Sequence, residues 1–150
     1  MGKENKKLPR GLRNCNPLNI RKGKSKLWMG EIDGTDQVFC TFSNRVYGYR
    51  AAIKIMQTYQ KKYNCWNLHD RIARWAPPTE NKTGAYIGYV CDALHCYPSL
   101  TFDFCSSHDD ERIECCLLIK CMAVVENGCK ESDIDLDEII KAYDLANNIR

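Results

Sequence analysis

Apolar residues recur with the spacing of an amphipathic helix over most of this chain. The clearest stripe predicts a helix over about residues 48–63, with Tyr49, Ile53, Met56, Gln60 and Tyr63 on one face. Four more helices are predicted, over about residues 67–75, from the prolines at 77 and 78 to about 94, from about 108 to 127, and over about 135–147. A run over residues 37–42 is compatible with a short strand. The pattern therefore predicts a mainly α chain.

Polar residues mark several of the predicted helix ends. Asn67 is placed to cap a helix, with Asp70 three residues further on. His108 or Asp109 precedes a strongly apolar helix, and Gly128 follows it as expected of a left-handed C-cap. These residues predict where the helices begin and end.

The segment Trp-Ala-Pro-Pro-Thr-Glu-Asn, residues 75–81, is the most informative stretch. Its two prolines end one helix, so Glu80 is predicted near the N-terminus of the next. An acid there complements the helix dipole, which is the ordinary explanation for Glu80. The other explanation is a catalytic carboxylate flanked by Trp75 and Tyr86, and the residues leave both open.

Length and composition suit a globular protein. With 150 residues and 44% apolar content, residues 11–150 are predicted to form a single domain, and residues 1–10 a basic, flexible tail. No apolar run approaches the roughly 18 residues of a membrane span. The N-terminal charges are not followed by the apolar core of a secretory signal. We therefore expect no membrane partner and synthesis without a signal peptide.

Charge is divided unevenly along the chain. Residues 1–75 carry 16 Lys and Arg against 5 Asp and Glu, a balance of +11, whereas residues 76–150 have a balance of −8. A basic half attracts polyanions, whether nucleic acid or acidic polymers of a bacterial wall. Alternatively, the acidic half neutralises it across the domain. No recognition helix or base-stacking motif favours nucleic acid, so that partner ranks last.

The chain has ten cysteines and no secretory signal, so reduced and largely buried thiols are predicted. One group has residue types that suit zinc: Cys91, His95, Cys96, Cys105 and His108. It contains no Cys-x-x-Cys pair and does not match the ligand spacing of known zinc sites. We therefore predict no metal and no cofactor.

Three blocks occur in order along the chain: residues 11–21 (GLRNCNPLNIR), residues 39–42 with 47–52 (FCTF and YGYRAA), and residues 75–81 (WAPPTEN) leading to Tyr86 and Val90. Together they resemble a family of short phage and prophage proteins, usually described as phage structural or virion proteins. The resemblance covers about residues 11–91.

That family is similar in organisation to lysozyme-like muramidases and glucosaminidases that act on peptidoglycan. The resemblance implies a lysozyme-like helical domain with a small irregular or β-hairpin lobe near the N-terminus. It implies peptidoglycan or another bacterial wall glycan as partner, together with other virion proteins. It also implies a protein made in the bacterial cytoplasm that is virion-associated or released at lysis. The alternative is a non-catalytic virion structural protein that keeps this fold.

The catalytic acid is where the chain departs from the lysozyme-like pattern. In those enzymes a glutamate ends the first helix, just before the Asn-rich turn, but here Glu4 is the only acid upstream of Asn14. Cys15 and Leu18 also replace the expected Asn and Gly. Whether the chain hydrolyses a glycan or only binds one is therefore left open.

Glycoside hydrolysis needs a protonated carboxyl group and usually a second carboxylate opposite it. Glu80 and Glu31 are the catalytic candidates, with Asp33 or Asp36 as a possible second group. Arg50, expected in the first turn of its helix, opposes the dipole there and suggests a carboxylate partner such as Glu80 or Glu31. The predicted substrate-binding residues are Asn16, Asn19, Arg21, Trp28, Arg50, Trp75, Asn81 and Tyr86.

Overall fold

Six α-helices and one short hairpin make up the part of the chain that the computed structural model describes, residues 8–24 and 27–150. The helices are α1 (Arg10–Arg13), α2 (Arg45–Tyr63), α3 (Leu68–Trp75), α4 (Thr83–Leu94), α5 (Asp109–Asn127) and α6 (Leu136–Ala146). Strands β1 (Glu31–Ile32) and β2 (Thr41–Phe42) pair antiparallel, and a 3₁₀ turn covers Glu131–Asp133. The prediction of a mainly α chain is confirmed.

The observed helix ends follow the polar residues that mark them. Asn44 caps α2 by accepting a hydrogen bond from the backbone N–H of Tyr47, so this helix begins three residues earlier than predicted. Asn67 caps α3 as predicted, accepting from the N–H of Asp70 at 2.8 Å. Gly128, with φ of 57°, ends α5 in the left-handed conformation.

Glu80 does not lie in the first turn of a helix, which corrects the prediction. Residues 77–80 form a tight turn closed by the N–H of Glu80 donating to the carbonyl of Pro77 at 3.0 Å. Pro78 sits at the second position of that turn, where its fixed φ is favourable. Helix α4 begins only at Thr83, so Glu80 belongs to the turn between α3 and α4.

The core is built where α2 packs on α6 and α5, and where α5 packs on α4. Its fully buried side chains include Ile53 and Met56 from α2, Leu118 and Ile119 from α5, and Tyr143 from α6. All ten cysteines are free thiols, four of them buried: Cys40, Cys115, Cys116 and Cys121. Burial raises the pKa of Cys116 to about 12, so this thiol behaves as a small apolar residue.

The Asn-rich loop, residues 14–21, lies across the start of α2. It packs so closely at Gly48 that a Cβ there would collide with the carbonyl oxygen of Cys15. The N–H of Phe42 donates to the carbonyl of Asn14 at 2.9 Å and joins the loop to β2. The loop is thereby held between the hairpin and the helices.

Two further expectations concern the basic N-terminal tail and membrane-spanning helices. Most of the predicted basic tail, residues 1–7, lies outside the described residues, and Arg10 already belongs to α1. Within the described part of the chain, no helix has both the length and the apolar character needed to cross a bilayer.

Candidate functional site

A cleft of about 420 Å³ opens where the Asn-rich loop, α2, the α3–α4 turn and the end of α5 meet. Five predicted site residues line it: Asn19, Arg21, Trp75, Glu80 and Asn81. They are joined by Leu18, Ile20, Phe39, Ile55, Tyr59, Ala76 and Glu126. The structure thus brings together residues from both ends of the chain around one concave, partly polar surface.

Glu126, in the last turn of α5, is a buried carboxyl group of this cleft whose pKa is shifted. The Tyr86 hydroxyl donates to Glu126 Oε2 at 3.1 Å, and Asn19 Nδ2 lies 3.5 Å from Oε1. Burial raises the pKa of Glu126, and hydrogen bonds from Tyr86, Asn19 and Trp75 oppose that rise only in part. The carboxyl group therefore keeps its proton to higher pH than an ordinary glutamate does.

Glu126 was not predicted as a site residue. Its cleft partner Asn19 lies 107 positions away in sequence, so no local motif joins the two. One local signal exists, because a glutamate in the last turn of a helix opposes the helix dipole. The last turn of α5 contains no basic residue to offset that charge.

The Asn-rich loop is tied directly to the end of α5. Asn127 Nδ2 donates to the carbonyl of Pro17 at 2.8 Å, and Asn19 Nδ2 donates to the backbone carbonyl of Glu126 at 3.1 Å. Asn19 itself has φ of 53°, a left-handed conformation that Asn tolerates better than most residues. This geometry fixes Asn19 beside the Glu126 carboxyl group.

Aromatic side chains form one wall of the cleft. The rings of Tyr59 and Trp75 meet edge to face, with centroids 6.5 Å apart. Trp75 is half-buried and packs against the core while also lining the cleft. Burial raises the pKa of Tyr59 to about 12, which keeps its hydroxyl protonated at neutral pH.

Two predicted substrate-binding residues are buried. Asn16 is fully enclosed: its amide donates to the carbonyls of Ile20 and Cys40 at 2.9 and 3.0 Å, and its oxygen accepts from the N–H of Ile20. It braces the loop and presents no free polar group to the cleft. Tyr86 is also buried and acts on the cleft through its hydrogen bond to Glu126.

Glu31 and Trp28 lie away from the cleft. Glu31 Oε1 accepts from the backbone N–H of Trp28 at 3.0 Å, which closes the turn before β1. Trp28 lines a second groove together with Arg50. Glu80 lines the cleft, whereas Glu31 is not among the residues that line it.

Asp36 anchors the N-terminal segment through hydrogen bonds. The Arg10 guanidinium donates to both of its carboxylate oxygens, at 2.6 and 2.7 Å, and Asn14 Nδ2 donates at 2.9 Å. The Arg10 guanidinium, helped by backbone N–H groups, holds the pKa of Asp36 well below its usual range. Asp36 is therefore a structural anchor and not the second carboxylate of the cleft.

Arg50 also departs from its predicted place. Because α2 begins at Arg45, Arg50 lies in its second turn. Among the described residues it forms no ion pair with Glu80 or Glu31, and its buried Nε has no hydrogen-bond partner there. The dipole conflict that suggested a carboxylate partner is absent at this position.

A metal centre was also considered from the sequence. Across residues 8–24 and 27–150 the structure gathers no group of three or more His, Cys, Asp or Glu side chains that could hold a metal ion.

Over part of its length the chain is homologous to a phage protein. That protein is Protein P5 of Pseudoalteromonas phage PM2, to which the chain is 44% identical over 86 residues. The match covers 55% of this chain and 54% of Protein P5, so the chain spans about half the length of this curated relative. No family model matches the chain.

Proposed function

We propose that this is a phage- or prophage-derived, virion-associated protein that binds and hydrolyses the glycan strands of peptidoglycan. The observation that carries the proposal is the buried Glu126 carboxyl group, with its raised pKa, in a cleft that also contains Glu80. The partial homology to a phage protein supports the phage origin. A volume of about 420 Å³ is within the range of ligand-binding clefts.

Glu126 would act as the general acid. Its proton passes to the glycosidic oxygen as the bond to the leaving sugar breaks. The carboxylate that remains accepts hydrogen bonds from the Tyr86 hydroxyl and from Asn19, which stabilise the charge left behind. A pKa raised by burial keeps the group protonated to higher pH than an ordinary glutamate, as a general acid requires.

Glu80 would supply the second carboxylate. It is exposed on the turn between α3 and α4 and lines the same cleft as Glu126. In glycosidases such a group either attacks the sugar or activates a water molecule. The environments of Glu126 and Glu80 differ in burial, which is the arrangement that separates an acid from a base or nucleophile.

The remaining cleft residues suit a sugar chain. Asn19, Arg21 and Asn81 offer hydrogen bonds to hydroxyl and N-acetyl groups, while Trp75 and Tyr59 offer flat apolar surfaces to sugar rings. In lysozyme-like enzymes the acid stands at a helix end beside an Asn-rich turn. Here the end of α5 would provide that acid, in place of the missing upstream glutamate.

The test is hydrolysis of purified sacculi by the Glu126→Gln variant, followed as release of reducing ends. Loss of the proton donor should lower the rate at least about 100-fold, while co-sedimentation with sacculi persists. Glu111→Gln is the matched control, because Glu111 is exposed at the opposite end of the same helix and should leave the rate unchanged.

Two results would contradict the proposal in different ways. Wild-type protein that binds sacculi but releases no reducing ends between about pH 4 and 8, a range that spans ordinary carboxyl and histidine pKa values, would favour the non-catalytic virion protein. Wild-type protein that neither binds nor cleaves sacculi would contradict both glycan hydrolysis and glycan binding.

A further inference from the structure

Two cysteines stand at the C-terminal end of α4, where the chain turns away from the helix. Cys91 lies in the last turn of the helix, and Cys96 follows five positions later, just beyond its end. Both are half-buried free thiols. They line a surface depression of about 480 Å³ together with Asp92, His95 and Tyr97. The cleft described above does not include this surface.

The backbone at the end of α4 determines how the two cysteines are placed. His95 adopts the left-handed conformation, with φ of 52° and ψ of 49°. The N–H of Cys96 donates to the carbonyl of Cys91 at 3.1 Å, and the N–H of His95 donates to the carbonyl of Asp92 at 3.4 Å. These are the two hydrogen bonds of a Schellman motif, in which the side chains at the positions of Cys91 and Cys96 commonly pack together. The motif therefore brings two thiols to one side-chain contact.

The two thiols interact directly. Burial raises the pKa of Cys96, and the neighbouring Cys91 thiol raises it further through its charge and through a hydrogen bond. Both side chains also pack against the core, which holds them in place. Two cysteine side chains held this close meet the first geometric condition for a disulfide.

Exposure separates this pair from the cysteines of α5. Cys115, Cys116 and Cys121 are buried, so a reagent in solution reaches them only when the protein opens. Cys91 and Cys96 instead line a surface depression beside the largely exposed side chain of Tyr97. They are therefore close to each other and also within reach of a soluble oxidant.

We propose that Cys91 and Cys96 are a redox site, which a disulfide oxidant such as oxidised glutathione converts to an intramolecular disulfide. One thiolate attacks a sulfur of the oxidant, breaks its S–S bond and releases one molecule of thiol, which leaves a mixed disulfide on the protein. The other thiolate then attacks the protein sulfur of that mixed disulfide and releases the second molecule of thiol. The two protein thiols lose two electrons and two protons, and the oxidant is reduced to two thiols.

The disulfide would join the last turn of α4 covalently to the segment that follows it. In the reduced protein, hydrogen bonds and the contact between the two thiols make this connection. A dithiol reductant reverses the step by the same exchange chemistry. The inference does not depend on glycan hydrolysis, since neither cysteine lines the cleft.

Peptide mapping of the full-length, folded protein tests the redox site. The protein is incubated with oxidised glutathione, its remaining thiols are alkylated, and the denatured but unreduced chain is cut on the amino side of aspartates. These cuts leave Cys91 as the only cysteine of peptide 70–91 and Cys96 as the only cysteine of peptide 92–102. In wild type the two peptides should lose alkylation together, appear joined to each other, and separate again after dithiothreitol.

A single substitution distinguishes pairing from separate modification. In Cys96→Ser the mixed disulfide at Cys91 lacks its partner thiol, so peptide 70–91 should keep the glutathione; thermal unfolding verifies that this small change leaves the fold intact. Cys65 is the control within the same chain. Its half-buried thiol donates to the carbonyl of Tyr63 at 3.6 Å, and it should carry glutathione in wild type and in the variant.

Three results would overturn the proposal. The first is wild-type protein in which Cys91 and Cys96 each carry glutathione, or stay alkylated while Cys65 is modified. The second is either peptide joined to a different cysteine, such as Cys121. The third is a joined pair that forms as readily in urea-unfolded protein as in folded protein, because the end of α4 would then contribute nothing to the pairing.

Discussion

At the scale of single residues, Glu126 is held in a position that disfavours its charged form. It places a carboxyl group in the last turn of α5, where negative charge opposes the helix dipole, and buries it beside Trp75 and Tyr86. Burial without a cationic partner favours the neutral acid. A group of this kind makes the folded state less stable as soon as it must ionise.

Glu126→Gln should therefore stabilise the protein at neutral pH. The folded-state pKa of Glu126 lies above the ordinary value of 4.5, so between these two values the folded state binds more protons than the unfolded state. Wild-type stability then falls as pH rises through that window, and the variant, which cannot ionise, escapes the loss. Urea unfolding at pH 7 should show a more stable variant.

The same measurement below about pH 4 should show that advantage shrinking, because both states are then protonated. Glu111→Gln, the same substitution at an exposed position of α5, is the control. A Glu126→Gln advantage that is equal at both pH values would mean that packing, and not ionisation, sets the difference.

At the scale of elements, the Asn-rich loop can pack closely against α2 because residue 48 is a glycine. Gly48 is buried where the carbonyl of Cys15 meets the helix, and α2 continues through this contact without a break. The loop carries Asn19 into the cleft, so its distance from α2 also sets the position of Asn19. A substitution at Gly48 that displaces the loop should therefore also displace Asn19 in the cleft.

Gly48→Ala should destabilise the protein by about 1–3 kcal/mol, because the added methyl group forces the loop away from α2. It should also weaken binding to sacculi. The control is Gly88→Ala at an exposed position in α4 with open space around it, which should stabilise by up to about 1 kcal/mol. Thermal and urea unfolding of the pair measure both effects, and equal destabilisation would rule out the close approach as the cause.

Most of the helices could be predicted from the sequence alone. Helices α2, α3, α5 and α6 were predicted because periodicity and caps such as Asn67 and Gly128 are local signals. The start of α4 was misplaced because a tight turn at Pro77 and Pro78 competes with an acidic first helical turn. Such alternatives differ by little free energy within the segment itself.

The candidate site was predicted only in part for a related reason. Asn19, Trp75 and Glu80 stand in recognisable blocks, and the structure brings them to one cleft. Glu126 belongs to none of the three sequence blocks. Its place in the cleft depends on a contact with Asn19, which is 107 residues away in the sequence. Burial, which alters the pKa of Glu126, is a property of the assembled molecule.

At the scale of the whole molecule, Arg71 joins segments that are distant in sequence. It is fully buried and donates to the carbonyls of Met56 at 2.8 Å and Phe102 at 2.7 Å, and to Gln60 Oε1 at 2.6 Å. Burial lowers its pKa to about 10. One cation thus connects α2, α3 and the segment between α4 and α5.

Arg71→Met should destabilise the protein by about 3 kcal/mol or more, because several buried acceptors lose their donor together. Arg71→Lys should recover little of this, since one ammonium group cannot reach acceptors arranged for a guanidinium fork. Chemical unfolding of both variants is the measurement. Near wild-type stability of Arg71→Lys would show that charge alone matters at this position.

The hydrogen bond between Asn19 and the Glu126 carbonyl also determines when the cleft can form during synthesis of the chain. A ribosome delivers the end of α5 more than a hundred residues after the Asn-rich loop. Until that helix end docks, the loop lacks its contacts with Asn127 and Glu126, and the cleft lacks its buried carboxyl group. A nascent chain therefore carries a half-built cleft until α5 has been made and has docked, and the site is complete only then.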